Sequence, residues 1–163
     1  MEKITSVKNP AVRALRDLKD RRTRVETGRI LVEGEVMIRE ALKCGLTPCD
    51  LLAEERFADF AAEMAGHGTR CFEVPRSLLE AVCETKSPQG VCASFTAPQP
   101  RSVGALGGAV VALDGVQDPG NVGTLWRTAD AFGADGMILL PGCADPWSPK
   151  TLRATMGACF RLP

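Results

Sequence analysis

The stretch from Ala109 to Gly133 constrains the fold of this chain more than any other part of the sequence. It opens with a short apolar run, Ala109 to Leu113, whose length and residue types predict a buried strand. The run Asp118-Pro119-Gly120-Asn121 must end that strand, because Pro lacks a sheet donor while Gly and Asn favour turns. Apolar residues then recur at helical spacing before Gly133, at Val122, Leu125, Ala129 and Phe132. The pattern predicts a strand, a tight loop and a helix.

Asn121 and Arg127 are the candidate functional residues of this stretch. In open α/β sheets, ligands bind at the loop that leaves the carboxyl end of a strand, and the N–H groups of the next helix start favour anions. Asn121 lies at that start, where an N-cap is an equally good interpretation. Arg127 lies outside the apolar stripe, and Gly123 between them allows another backbone or a nucleotide to come close. By position alone, Arg127 is a solvated surface charge.

The spacing of these residues is more specific than their individual positions. The run Asp118-Pro119-Gly120-Asn121-Val122-Gly123, followed by Arg127-Thr128-Ala129-Asp130-Ala131-Phe132-Gly133, resembles the first signature motif of the SpoU/TrmH family of RNA ribose 2'-O-methyltransferases, in the SPOUT superfamily. The resemblance implies that Asn121 and Arg127 are catalytic, with Arg127 assigned to proton removal at a site that a partner subunit completes. Because a guanidinium resists deprotonation, a bidentate grip on the neighbouring phosphate is the alternative role.

A second stretch of the same resemblance follows in the last part of the chain. Ser148-Pro149 is a good helix opening, and Lys150 and Arg153 lie three residues apart on one helix face, which makes both candidate RNA contacts. The run from Pro149 to Ala158 resembles the family's next recognisable stretch, with Thr155 in place of the more usual Ser.

The resemblance also implies a cofactor and an assembly. In the family, a second and a third motif bind S-adenosyl-L-methionine in a trefoil knot and supply most of the homodimer contact, and no residue here matches them. We therefore expect residues 108–163 to be the first half of an α/β trefoil-knot (SPOUT) methyltransferase domain. The cofactor-binding residues are expected outside this sequence, so we expect a truncated chain that is inactive by itself.

The first 27 residues are strongly basic. Residues 1–30 hold nine Lys and Arg against four Asp and Glu, whereas residues 31–100 hold six against eleven. Val12, Leu15 and Leu18 predict a helix with one apolar stripe and a basic remainder. Residues 1–27 are interpreted as a basic helical arm that contacts RNA phosphates, with a solvated helix face as the equally weighted alternative. Its candidate RNA-binding residues are Arg13, Arg22 and Arg24.

Residues 28–97 alternate strand and helix patterns, which predicts an α/β layer domain. The segments Arg29-x-x-x-Glu33-Gly34 and Lys86-Ser87-Pro88-Gln89-Gly90-Val91 resemble the small α/β/α RNA-substrate-binding domain that many family members carry. A helix-start carboxylate and a turn glycine are the alternative interpretation of Glu33 and Gly34. Residues 98–107, rich in Pro, Gly and small side chains, are predicted to be a linker between the two domains.

The composition of the chain argues against several other classes of protein. Seven scattered cysteines with no C-x-x-C pair and a single histidine, His67, argue against a metal site, a disulfide framework and a histidine-dependent hydrolase. The loop lacks the glycine patterns of dinucleotide and P-loop enzymes. No apolar run has the length of a membrane span and no signal peptide is evident, so we expect a cytoplasmic protein without a membrane partner.

These features together predict S-adenosyl-L-methionine-dependent methylation of a ribose 2'-hydroxyl in RNA, with ribosomal RNA preferred over transfer RNA. An RNA-binding or assembly module without catalysis is the alternative, and the basic arm would be enough for it. A homodimer is expected for the full-length protein.

Overall fold

The computed structural model describes residues 1–85 and 87–163, which fall into two compact units, Met1–Ala97 and Pro98–Pro163. Both units combine helices with strands, which confirms the predicted α/β class. Lys86, the first residue of the second segment that resembles the substrate-binding domain, lies outside the described residues.

The first unit is built around a five-stranded mixed sheet with the strand order β1-β4-β3-β5-β2. Strand β5 is antiparallel to both of its neighbours, whereas β1 and β3 run parallel to β4. A 3-10 turn, Glu55–Phe57, precedes the fourth helix. The elements are β1 (Glu2–Lys3), α1 (Pro10–Asp17), α2 (Arg21–Thr27), β2 (Arg29–Glu33), α3 (Glu35–Lys43), β3 (Pro48–Ala53), α4 (Ala58–Gly66), β4 (Arg70–Glu73), α5 (Arg76–Val82) and β5 (Val91–Thr96).

Residues 1–27, predicted as a separate arm, lie within this unit. Strand β1 pairs with β4, and Val12, Leu15 and Leu18 are almost fully buried in the core that α1 shares with α5 and the sheet. The single predicted helix is two helices. Asp20 causes the break, because its carboxylate accepts the Arg22 N–H at 2.7 Å and caps α2.

The second unit contains a short parallel sheet flanked by helices. Its elements are a 3-10 turn at Val103–Ala105, β6 (Val110–Leu113), α6 (Pro119–Ala131), β7 (Gly136–Leu139), α7 (Pro149–Thr155) and α8 (Ala158–Arg161). The predicted order of strand, tight loop and helix is present, and α6 ends where Gly133 takes a positive φ of 71°.

Burial in this unit differs from the prediction. Of β6, predicted as a buried strand, only Leu113 is buried, and Val110 is 38% exposed, because β6 has β7 as its one sheet neighbour among the described residues. The buried stripe of α6 is Val122, Trp126 and Ala129, whereas Leu125 and Phe132 of the predicted stripe are exposed.

The described residues form no helix that combines the length and the apolar character needed to cross a membrane. The seven cysteines are free thiols.

Candidate functional site

The loop between β6 and α6 places Asn121 in the first turn of the helix, on its exposed side. Asp118 rather than Asn121 is the N-cap, because its carboxylate accepts the Asn121 backbone N–H at 2.9 Å and Pro119 occupies the first helical position. The N-cap interpretation of Asn121 is therefore wrong. No hydrogen bond of the Asn121 carboxamide to another described residue is found, which leaves it open to solvent.

Arg127 follows on the same helix and is also exposed. Its guanidinium donates to the Thr124 hydroxyl at 3.3 Å, and Thr128 donates its own hydroxyl proton to the Thr124 backbone carbonyl at 2.9 Å. Arg127 therefore does not point into a sealed apolar interior. A long charged side chain that makes one weak neutral contact can reorient toward an incoming anion at little cost.

Gly123 fixes the position of this helix against α7. A side chain at Gly123 would overlap Ala154, including its backbone carbonyl carbon, which would stand 2.6 Å from the added Cβ. The sequence predicted that Gly123 permits a close approach, and the approaching group is the backbone of α7 rather than a nucleotide. Helix α6, with Asn121 and Arg127, is thus seated directly on the helix that carries Lys150 and Arg153.

Helix α7 begins as predicted at Ser148, whose hydroxyl accepts the Thr151 N–H at 3.2 Å, while Thr151 donates to the Asp145 carbonyl at 2.7 Å. Lys150 is exposed in the first turn, and Arg153 is half-buried. Thr155 is fully buried, and its hydroxyl hydrogen-bonds within the chain to the Leu152 carbonyl at 2.7 Å.

The two loops at the carboxyl ends of β6 and β7 are joined by hydrogen bonds. The Leu113 carbonyl accepts from the Leu140 N–H at 2.9 Å and from the Cys143 thiol at 3.3 Å, and the Val116 carbonyl accepts the Ala144 N–H at 2.8 Å. The carbonyls of Leu113 and Val116 therefore have hydrogen-bond partners within the chain.

Sequence reasoning missed Trp126 as a residue that supports the site. Its indole N–H donates to the Leu162 carbonyl at 3.1 Å in a buried position, and its ring centroid lies 6.3 Å from that of Trp147. Arg161 donates from two nitrogens to one Asp130 carboxylate oxygen, at 3.0 and 2.7 Å. Trp126 follows Val122 at helical spacing and is directly before Arg127, so its position was readable from the sequence.

The predicted RNA-binding residues of the first unit have three different environments. Arg13 is exposed. Arg22 is exposed and paired with Glu26 at 2.7 Å. Arg24 needs a correction, because it is only 6% exposed and donates to the Leu18 and Lys19 carbonyls, both at 2.6 Å, so its guanidinium holds the α1–α2 turn instead of facing RNA.

The structure thus brings four of the predicted site residues onto two packed helices of the second unit: Asn121, Arg127, Lys150 and Arg153. Arg13, Arg22 and Arg24 belong to the first unit.

Two protein families match the chain, one within each of its two units. Residues 9–93 match the MRM3-like substrate binding domain, and residues 108–163 match the SpoU rRNA Methylase family.

Three similar proteins cover nearly the whole chain. The 23S rRNA (guanosine(2553)-2'-O)-methyltransferase RlmP of Bacillus subtilis is 37% identical over 164 residues, which span 100% of this chain and 64% of that protein. The mitochondrial rRNA methyltransferase 3A of Danio rerio is 31% identical over 99% of this chain and 39% of its own length. The crystal structure of AdoMet-bound rRNA methyltransferase from Sinorhizobium meliloti superposes with a TM-score of 0.86 at 35% identity, covering 99% of this chain and 63% of the other. This chain therefore spans less than two thirds of each.

Proposed function

Because the chain belongs to the SpoU rRNA methylase family, with an MRM3-like substrate binding domain in its first unit, we propose that the whole protein methylates a ribose 2'-hydroxyl of ribosomal RNA. S-adenosyl-L-methionine is the proposed methyl donor. RlmP of Bacillus subtilis supports this proposal because its name gives both the 2'-O position and a ribosomal substrate.

One observation carries the proposal for this chain. Asn121 and Arg127 are exposed on one helix that starts at the carboxyl edge of a parallel sheet, where ligands bind in open α/β folds. The guanidinium of Arg127 and the carboxamide of Asn121 are not committed to a buried network, so both can contact an RNA nucleotide.

The chemistry requires a ribose that is held in line with the methyl group and a hydroxyl that loses its proton. A guanidinium stays protonated in proteins, and its planar fork matches two phosphate oxygens. We assign Arg127 to the phosphate next to the target ribose, where its charge also lowers the cost of negative charge that develops on the 2'-oxygen. Asn121 offers an amide donor and a carbonyl acceptor to the same nucleotide.

Two backbone carbonyls near the ligand edge of the sheet already have hydrogen-bond partners within the chain. The carbonyls of Leu113 and Val116 accept the backbone N–H groups of Leu140 and Ala144. We therefore assign no residue of this chain to the cofactor. The Sinorhizobium meliloti structure, which holds AdoMet, supports the choice of cofactor.

A cytoplasmic location and a homodimer, in which a second copy completes the site at Arg127, belong to the same proposal. Transfer RNA remains the less favoured substrate, since the three similar proteins are named for ribosomal RNA.

The test incubates the whole protein with S-adenosyl-L-methionine labelled in its methyl group and with 23S rRNA, 16S rRNA or transfer RNA as separate substrates. Ribose methylation is identified as label in alkali-resistant dinucleotides. Arg127→Ala is expected to lower kcat/KM by at least about 100-fold. Arg101→Ala removes the same charge from the exposed linker and is the matched control.

Label in a base rather than a ribose, or full activity of Arg127→Ala, contradicts the proposal. The two roles of Arg127 are separated by the pH–rate profile of Arg127→Lys. A phosphate contact predicts a lower rate with an unchanged profile, whereas proton removal by residue 127 predicts a shifted profile.

An RNA-binding module without catalysis is the second candidate. It is favoured by the first unit, because residues 9–93 match a substrate binding domain and make up about half of the chain. Tight binding of rRNA by the whole protein without label transfer would identify this function.

A further inference from the structure

Strands β4, β3 and β2 of the first unit place two arginines around one buried carboxylate, with β5 lying between β3 and β2. Asp50 on β3 accepts from Arg70 Nε on β4 at 2.6 Å through one oxygen, and from Arg29 Nη1 on β2 at 3.5 Å through the other. The Asp50 side chain is 1% exposed, whereas those of Arg29 and Arg70 are 41% and 68% exposed. We call these three residues the arginine pair and its carboxylate.

The backbone of Asp50 is paired with both neighbouring strands. Asp50 lies opposite Arg70 in the parallel register and opposite Ser94 in the antiparallel register, and its backbone N–H donates to the Ser94 hydroxyl at 3.2 Å. Each guanidinium donates to the carboxylate through one nitrogen, and both arginine side chains are more than a third exposed, so their other N–H groups can reach a ligand.

This arrangement contains more positive charge than burial of Asp50 requires. One guanidinium neutralises a carboxylate, and the second leaves a net charge of one on two neighbouring arginines, which repel each other. A bound anion removes that repulsion and satisfies the N–H groups that face outward. The contact with Asp50 raises the pKa of Arg70, so this side chain remains a cation.

A recess of about 380 Å³ begins at the same place. Two of its lining residues, Arg29 and Ser94, are among the three whose contacts with Asp50 are described above, and the third, Arg70, does not line the recess. The rest of the lining combines polar and apolar residues: Ala14, Asp17, Leu18, Thr23 and Thr27. A recess of this size with a few polar groups is typical of small-ligand sites.

We propose that Arg29 and Arg70 bind a phosphodiester of single-stranded RNA, and that the recess beside them receives the attached nucleoside. The inference rests on the proposed function for RNA as the substrate and adds a specific contact surface to it. This surface is distinct from Glu33, which lies at the other end of β2 and accepts a hydrogen bond from Thr85 at 2.6 Å.

The first test measures fluorescence anisotropy of a labelled single-stranded 20-nucleotide RNA of mixed sequence with the 163-residue chain. The variant Arg29→Lys/Arg70→Lys keeps the net charge and a cation beside Asp50, but it removes both planar forks. We expect the Kd to rise about tenfold. The control Arg39→Lys/Arg76→Lys changes two other paired arginines of the same unit, and we expect a change of less than about twofold. Equal Kd values for the two double variants overturn the proposal.

The second test uses Asp50→Asn, whose two possible effects have opposite signs. If the unit attracts RNA only through net charge, loss of a negative charge tightens binding. If Asp50 positions the arginines, binding weakens, and we expect a Kd at least about threefold higher. Tighter or unchanged binding by a folded Asp50→Asn overturns the proposal. A thermal melt establishes folding, and if this variant does not fold, the lysine double variant decides.

The recess is tested with duplex RNA of the same sequence. Stacked and paired nucleosides cannot enter it, so we expect the lysine double variant to weaken duplex binding by less than about twofold. An equal loss for duplex and single strand contradicts the nucleoside part of the proposal.

The RNA-binding result can be distinguished from the result of the methyl-transfer experiment. If the whole protein transfers no methyl group while the lysine double variant still weakens RNA binding, the proposed function fails and this inference stands. If methyl transfer occurs and RNA binding is indifferent to both arginines, this inference fails alone.

Discussion

Strands β3 and β6 have similar apolar sequences but very different surroundings. Strand β3 lies in the middle of a five-stranded sheet, and Leu51, Leu52 and Ala53 are fully buried. Strand β6 pairs with β7, and of its residues only Leu113 is buried. An apolar run therefore predicts a strand, but the number of neighbouring elements determines how much of that strand is buried.

The polar side chains of the two units also differ in burial. In the first unit a buried carboxylate, Asp50, is paired with Arg70 of the adjacent strand β4 and with Arg29 of β2. In the second unit Asn121 and Arg127 are exposed on α6, and the contact of Arg127 is with Thr124 of its own helix. The polar residues compared in the first unit are thus held by tertiary pairing, whereas the candidate site residues of the second unit are exposed to solvent.

The largest expected effect tests the difference in burial with one substitution in each unit. Val32→Ala removes two methyl groups from a side chain that is 1% exposed, and it should cost the first unit about 2–3 kcal/mol. Val110→Ala, at a side chain 38% exposed, should cost the second unit less than about 1 kcal/mol.

Urea unfolding measures both values. Tryptophan fluorescence reports on the second unit, because the two tryptophans of the chain, Trp126 and Trp147, lie there, and circular dichroism adds the first unit. Equal losses for the two valine variants would contradict the interpretation that the strands differ in burial.

The next effect concerns the contact between α6 and α7. Gly123→Ala places a methyl group against the Ala154 backbone, which cannot rotate away, and should cost about 1–3 kcal/mol. Gly66→Ala in α4 meets no atom within 4 Å and should be neutral or stabilising by up to about 1 kcal/mol. Tryptophan fluorescence should follow the loss at Gly123, and no change there would mean that α6 can shift on α7.

A smaller effect on stability is expected from the buried thiol of Cys92 in the first unit. The hydrogen bond with Cys83 and complete burial raise the pKa of Cys92, whereas an unfolded thiol ionises near about 8.5. Because the folded protein holds this thiol in its neutral form, the contribution of Cys92 to the free energy of unfolding is fully present below the pKa of the unfolded thiol. It is lost as the pH rises above that value. We expect a loss of about 1 kcal/mol between about pH 8.5 and 9.5.

The pH dependence is read from urea titrations followed by circular dichroism. Cys92→Ala should flatten this part of the profile whatever its absolute stability, and Cys49→Ala, at a partly exposed position, is the control. If the profile of Cys92→Ala stays as steep as that of the control, the buried thiol is not the cause.

The smallest effect is expected where the second unit is open. Arg127→Ala should change the free energy of unfolding by less than about 0.5 kcal/mol, because its contact is a single exposed hydrogen bond of 3.3 Å. Melting followed by tryptophan fluorescence measures it. A loss above about 1 kcal/mol would assign Arg127 a structural role and weaken the comparison between the units.

The local patterns of the sequence were sufficient for most elements and for the exposed position of Arg127. The helix start at Ser148-Pro149 was predicted correctly because the capping signal is local. The same signal was present at Asp118-Pro119, so the N-cap of α6 could have been read from the sequence.

Other features depend on residues distant in sequence and could not be read from local patterns. Arg24 was predicted at the surface because basic residues usually are, but the α1–α2 turn supplies two carbonyls that its guanidinium can reach. The partner of Gly123 is Ala154, thirty-one positions further along the chain by their numbering. The arginine pair of the first unit requires the sheet order β4-β3-β5-β2, which no single stretch encodes.

The cap at Asp118 also has a consequence for how a polyanion can lie on α6. Free amides at a helix start would attract phosphate, but here an aspartate already accepts the Asn121 N–H, and its own negative charge repels a second anion. In the proposed complex, phosphate would be directed away from the loop and toward Arg127, six residues beyond Asn121. The uncharged sugar would then face Asn121, and the Asp118 carboxylate would set the orientation of the RNA strand on α6.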